Sequence, residues 1–75
     1  MADTKAIGAR VRDTRHAQGM TREQLAARAG VTHSTVYRIE KGSNQPNLNT
    51  LFKLAGALGV DPKWLLSGDE EGTDQ

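Results

Sequence analysis

The sequence contains no cysteine. Disulfides, thiolate metal sites and thiol nucleophiles are thereby excluded, and a reducing compartment fits. Aromatic residues number only three, Tyr37, Phe52 and Trp64, and β-branched residues are few and scattered. With no alternating apolar run between hairpin turns, the strand signals are missing and an all-α fold is expected. No apolar run approaches the roughly 20 residues of a membrane span. The opening Met-Ala-Asp-Thr-Lys also lacks a basic stretch leading into an apolar one, so the expected location is the cytoplasm, with no membrane partner. The two histidines, His16 and His33, stand without a ligand cluster, which argues against a metal. There is no nucleophile paired with a base, no Gly-rich phosphate loop and no carboxylate pair on a common face. Neither a cofactor nor enzyme chemistry is expected, and no small-molecule ligand is evident.

What is present is a single core's worth of apolar residues and a charge gradient. At 75 residues the chain is one domain, and a domain this small buries only about 60% of its unfolded surface. The net charge of +1 divides unevenly: residues 1–41 carry eight Lys or Arg against Asp3, Asp13, Glu23 and Glu40, giving +4, while residues 42–75 sum to −3. A basic first half suits a polyanion partner on one face.

Start and stop signals predict helices over 4–18, 22–29, 33–41, 48–58 and 62–66. Thr21 is placed to cap the second helix, with Gln24 reaching back to it and Met20 and Leu25 in the hydrophobic-staple positions. Val31, Thr32 and Val36 repeat the device for the third helix, and Val60, Asp61 and Leu65 for the fifth, where Pro62 occupies the first helical position. The segments Leu25-Ala26-Ala27-Arg28-Ala29-Gly30-Val31 and Leu54-Ala55-Gly56-Ala57-Leu58-Gly59-Val60 share the pattern Leu-Ala-x-x-x-Gly-Val. Each is expected to end a helix with a left-handed Gly followed by a Val folded back on the preceding turn, which is shared capping physics and not a duplication. Residues 67–75 are acidic, contain Gly and carry no large apolar group, so they cannot offset their ordering entropy. That places the domain at 1–68 and predicts an acidic, mobile tail over 69–75.

The informative unit is 22–41. A turn at Gly30 puts Leu25, Ala26 and Ala29 on the inner face of one helix and Val31, Val36 and Ile39 on the turn and the next helix. A small residue such as Ala26 lets the two helices cross closely, and Gly30 supplies the backbone angle for the reversal. Six apolar positions, a turn Gly and two caps within twenty residues specify helix-turn-helix geometry. With Val36 and Ile39 inward, Ser34, Tyr37, Arg38 and Lys41 share the opposite face of the third helix, and His33 stands at its exposed N-terminal end.

The run Met-Thr-Arg-Glu-Gln-Leu-Ala-Ala-Arg-Ala-Gly-Val-Thr-His-Ser-Thr-Val-Tyr-Arg-Ile-Glu-Lys-Gly, the later Gln-Pro-Asn-Leu, and the closing Leu-Ala-Gly-Ala-Leu-Gly-Val-Asp-Pro-Lys-Trp-Leu-Leu-Ser-Gly resemble the helix-turn-helix family of the phage lambda and 434 repressors, Cro and xenobiotic-response-element-type regulators. The resemblance implies a compact five-helix bundle of the lambda-repressor-like type. Its third helix would enter the major groove of double-stranded DNA and regulate transcription at an operator. Thr32, His33 and Ser34 fall at base-contacting positions, with Tyr37 and Arg38 one turn later. Arg38 is suited to a bidentate contact with guanine. Arg22 matches a backbone-contacting position; Lys41, Ser43, Asn44 and Asn47 flank the far side, and Arg10 on the first helix is a weaker phosphate candidate. Arg15 and Glu40 match the positions of a structural ion pair.

One recognition helix reads only a few base pairs, so a symmetric homodimer on an inverted-repeat operator is expected, with Leu58, Lys63, Leu66 and Ser67 at the interface. The competing reading is an antitoxin or antirepressor-type module that docks a protein. The charge of Arg22, Arg38 and Lys41 favours nucleic acid, since a docking surface would favour exposed large apolar groups.

Overall fold

Each helix begins where a short polar side chain replaces a missing backbone partner. In the computed structural model, which describes residues 3–68, the elements are α1 (Thr4–Ala17), α2 (Arg22–Ala29), α3 (His33–Lys41), α4 (Leu48–Leu58) and α5 (Pro62–Ser67). Asp3, Thr21, Thr32, Asn47 and Asp61 cap them in turn, each side-chain oxygen accepting from a backbone N–H of the first turn. Thr21 and Gln24 form the reciprocal box expected of them: Gln24 N donates to Thr21 Oγ1 at 3.0 Å and Thr21 N donates to Gln24 Oε1 at 2.9 Å.

The two Leu-Ala-x-x-x-Gly-Val segments end α2 and α4 in the same way. Gly30 and Gly59 both sit at φ 72°, and the following Val N–H donates back to Ala26 O and Ala55 O, each at 3.0 Å. The third and fifth helices also end on left-handed glycines, Gly42 and Gly68.

Two boundaries differ from the sequence reading. The first helix stops at Ala17, with Gln18 as its cap and the positive φ falling on Gly19. Ser67, placed by its polarity at the start of a mobile end, is the last residue of α5. Its hydroxyl donates to Lys63 O at 2.9 Å, and the Gly68 N–H closes the turn on Trp64 O at 2.7 Å. The expected acidic tail at 69–75 lies outside the described residues.

The core draws on all five helices. Ile7 and Val11 come from α1, Leu25, Ala26 and Ala29 from α2, Val36 and Ile39 from α3, Leu51, Leu54, Ala55 and Leu58 from α4, and Leu65 from α5. Met20 closes it from the α1–α2 turn, and Trp64 and Leu66 pack half-buried against it. Helix α3 packs against α1 and α2. The α1 contact is close because of Gly8: a Cβ there would stand 2.1 Å from Ile39 O. Backbone therefore lies against backbone, and α3 is set by α1 and α2 together while its outer face stays open.

Candidate nucleic-acid interface

The sequence of α3 alternates between what the core requires and what the surface shows. Val36, Ile39 and Glu40 are buried; His33, Ser34, Tyr37, Arg38 and Lys41 are exposed. Thr32, also exposed, uses its hydroxyl to cap the helix, accepting from Thr35 N at 3.1 Å and lying 2.9 Å from Thr35 Oγ1. What it offers outward is its methyl group and whatever hydroxyl capacity these two contacts leave.

Behind this face stands a buried charge cluster. Arg15 and Glu40 are 5% and 8% exposed, and Arg15 grips the carboxylate in two places: Nε donates to Oε2 at 2.7 Å and Nη2 to Oε1 at 3.1 Å. Arg15 Nη1 donates to Met20 O at 2.8 Å, so the guanidinium ties α1, the α1–α2 turn and α3 together. The family resemblance implies the Arg15–Glu40 pair alone. The structure adds Arg22, whose Nε donates to Glu40 Oε1 at 3.1 Å. One buried carboxylate thus faces two arginines, which removes the cost of an uncompensated buried charge. Among the described residues no buried side-chain polar atom lacks a partner.

At the edge of the cluster the basic residues gather on an aromatic ring. The Arg22 guanidinium carbon and the Lys41 ammonium each lie 5.3 Å from the Tyr37 ring centroid, within cation–π range. On the other side of α3, Arg38 shares a shallow cleft of about 160 Å³ with Asn44, Gln45 and Asn47. Asn47 spends its side-chain oxygen on capping α4, accepting from Thr50 N at 2.8 Å, and its amide N–H groups remain as donors. Ser43 and Asn44 are exposed in the same loop. The structure therefore brings Arg22, Tyr37 and Lys41 together in one group and Arg38, Asn44 and Asn47 in another.

Two expectations are corrected. Arg10 was expected to meet phosphate, but its Nε donates to Leu65 O at 2.8 Å and its Nη2 to Leu66 O at 2.9 Å. The last carbonyls of a helix lack intrahelical donors and carry partial negative charge, so a cation there is a cap. Through these two bonds Arg10 joins α1 to α5. Leu58 was expected at a dimer interface, yet it is only 2% exposed, with its carbonyl accepting from Gln18 Nε2 at 2.7 Å. Of that group, Lys63 and Ser67 are exposed and Leu66 is half-buried. The large apolar side chains that do reach solvent on α4 are Leu48 at 65% and Phe52 at 56%. The signal for them was the apolar count of α4, which exceeds what one stripe of a surface helix can bury.

Among the described residues there is no grouping of three or more His, Asp or Glu suited to a metal ion, and no helix is long and apolar enough to cross a membrane.

Comparison with known proteins gives this arrangement its setting. The chain is 35% identical over 87% of its length to the helix-turn-helix transcriptional regulator DicA of Escherichia coli, of which it spans 48%. It superposes on the restriction-modification controller protein C.AhdI from Aeromonas hydrophila with a TM-score of 0.81 and 36% identity, covering 85% of this chain and 97% of that one. The P22 c2 repressor, solved in complex with a synthetic operator, matches with a TM-score of 0.82 and 30% identity over 88% of this chain and 100% of that one. Another regulator, from Sinorhizobium fredii, extends well past the shared domain, since the chain spans only 30% of it. The helix-turn-helix family profile covers residues 11–65, and with the observed geometry of α2 and α3 it follows that the chain belongs to the helix-turn-helix family.

Proposed function

We propose that the chain is a transcriptional regulator that reads an operator in double-stranded DNA with α3 in the major groove. The observation that carries this reading is the outer face of α3: His33, Ser34, Tyr37 and Arg38 are exposed in succession on a helix whose inner face is locked by Val36, Ile39 and the Arg15–Glu40 pair. Thr32, His33, Ser34 and Arg38 are the base-edge readers, and Arg38, with its fork of donors, suits guanine O6 and N7. Arg22, Lys41, Ser43, Asn44 and Asn47 are the phosphate contacts that set register. The P22 c2 repressor, built on the same fold, is solved on operator DNA, which supports the reading. Leu48 and Phe52 belong to α4, and the one large ring exposed on α3, Tyr37, is flanked by Arg22 and Lys41, which weighs against an antitoxin-like use of that face. The chain acts in the cytoplasm as a regulator and not as an enzyme. It pairs two-fold on an inverted repeat, with Lys63, Leu66 and Ser67 at or near the interface.

Fluorescence anisotropy with a selected operator and a random duplex, each at two salt concentrations, tests the proposal. Tighter binding to the operator at both salts is expected, with affinity falling steeply as salt rises, because neutralised phosphates release counterions. Equal affinity for the two duplexes at both salts would sink it.

A further inference from the structure

The sequence pattern places Tyr37 among the base readers, but its ring is already engaged. Arg22 approaches from the first residue of α2 and Lys41 from one turn further along α3, and both cations stand 5.3 Å from the same ring centroid. Two like charges converging on one ring repel each other unless something holds them. The negative face of the ring attracts both, and Glu40 supplies a full negative charge behind Arg22. Glu40 takes only the Nε–H of Arg22, at 3.1 Å, which leaves the two terminal nitrogens of the guanidinium to donate elsewhere. The Arg22 side chain is 41% exposed while that of Glu40 is only 4% exposed, so the arginine is anchored at its buried edge and open at its outer one.

We propose that Tyr37 is a positioning residue: with Glu40 it holds Arg22 and Lys41 as a preorganised clamp for DNA phosphate, and it does not discriminate bases. The inference rests on the reading that the α3 face binds DNA, and it changes what Tyr37 does there. A clamp assembled before binding avoids ordering two long, rotamer-rich side chains at the moment of contact. Its contribution is equal for every sequence, because phosphates carry no sequence information.

The test compares Tyr37→Phe and Tyr37→Leu for binding to the operator, to single-base-pair operator variants and to random duplex, across a salt series, with thermal melting to set a temperature at which every variant is folded. Tyr37 is 42% exposed, so loss of its ring removes little core. The clamp predicts that Tyr37→Phe binds as the parent does. Tyr37→Leu should lose about fivefold on operator and random duplex alike and have a shallower salt slope, with an unchanged ranking of the base-pair variants. A Lys41→Gln change should cost less in the Tyr37→Leu background than alone, since the cation is then already unanchored. If Tyr37→Leu or Tyr37→Phe instead flattens the preference at one base pair while random-duplex affinity stays unchanged, Tyr37 is a reader and the clamp is wrong. Unchanged affinity of Tyr37→Leu on every duplex overturns it equally. Should the parent protein show no operator preference, the base-reading assignment fails by itself. A uniform loss in Tyr37→Leu would then still support the clamp.

Discussion

Glu40 carries more of this site than any other single residue, because it is a buried charge answered from two helices. Arg15 neutralises it from within the core and Arg22 from the rim. The two substitutions are therefore unequal. Glu40→Met strands the Arg15 guanidinium, leaving only Met20 O and a contact with His16 Nε2 at 3.1 Å to hold it, and should cost about 3–5 kcal/mol. Arg15→Met leaves Glu40 with Arg22 and should cost less, and the double change should recover part of the loss of Glu40→Met. Urea unfolding of the three variants measures this, and strict additivity would show that the pair is not coupled. Arg38 and Arg22 separate on DNA instead. Arg38→Ala should cost on the order of 1–3 kcal/mol and relax the preference at one base pair, whereas Arg22→Ala should weaken all duplexes alike. Titration against single-base-pair operator variants distinguishes the two patterns, and identical profiles would refute the division.

Among the elements, the α1–α3 contact sets where α3 sits. Gly8 permits it by having no Cβ, since the nearest backbone oxygen would otherwise be 2.1 Å away. Gly8→Ala should therefore force the helices apart and destabilise by about 1–3 kcal/mol or more. Gly56 provides the opposite case. It lies inside α4, is exposed, and a Cβ there would meet nothing within 4 Å. Gly56→Ala should stabilise by roughly 0.5–1 kcal/mol through helix propensity alone. Thermal denaturation of the two variants should move the midpoint in opposite directions, and a fall in both would refute the propensity argument at Gly56. The fifth helix is too short to persist alone. It is held by Leu65 in the core and by Arg10 on its terminal carbonyls.

At the scale of the molecule, the proposed stoichiometry follows from there being one α3 per chain. A single helix meets too few bases to select an operator, and a two-fold pair spaced by about one DNA turn, roughly 34 Å, doubles the reading. Sedimentation with an operator duplex should show two chains per duplex at saturation, and the selected site should be an inverted repeat. One chain per duplex on a site without symmetry would end the dimer proposal. The free chain is expected to pair weakly, because Leu58 is committed to the core and cannot add to an interface.

Most of what depends on near neighbours was legible in the sequence, although the end of α1 and the place of Ser67 in α5 were not. The capping oxygen of Thr21, the left-handed turns at Gly30 and Gly59, the helix start at Pro62 and the inward stripe of Val36 and Ile39 are set by residues within a turn or two of one another. Five helices and the face of α3 could be read from that alone. The tertiary structure decided what depends on residues brought together from far along the chain. Arg10 and Leu65 are 55 positions apart and Arg22 and Glu40 are 18 apart. No local pattern distinguishes an arginine that caps a distant helix from one that waits for phosphate, because both are long cations on a surface helix. Gly8 hid for the same reason: a glycine inside a helix looks like a weakness until the partner backbone that needs the space is in place. Burial of Leu58 and exposure of Phe52 were likewise settled only by the angle at which α4 meets its neighbours, since both lie on one apolar helix whose circumference exceeds what the core can cover.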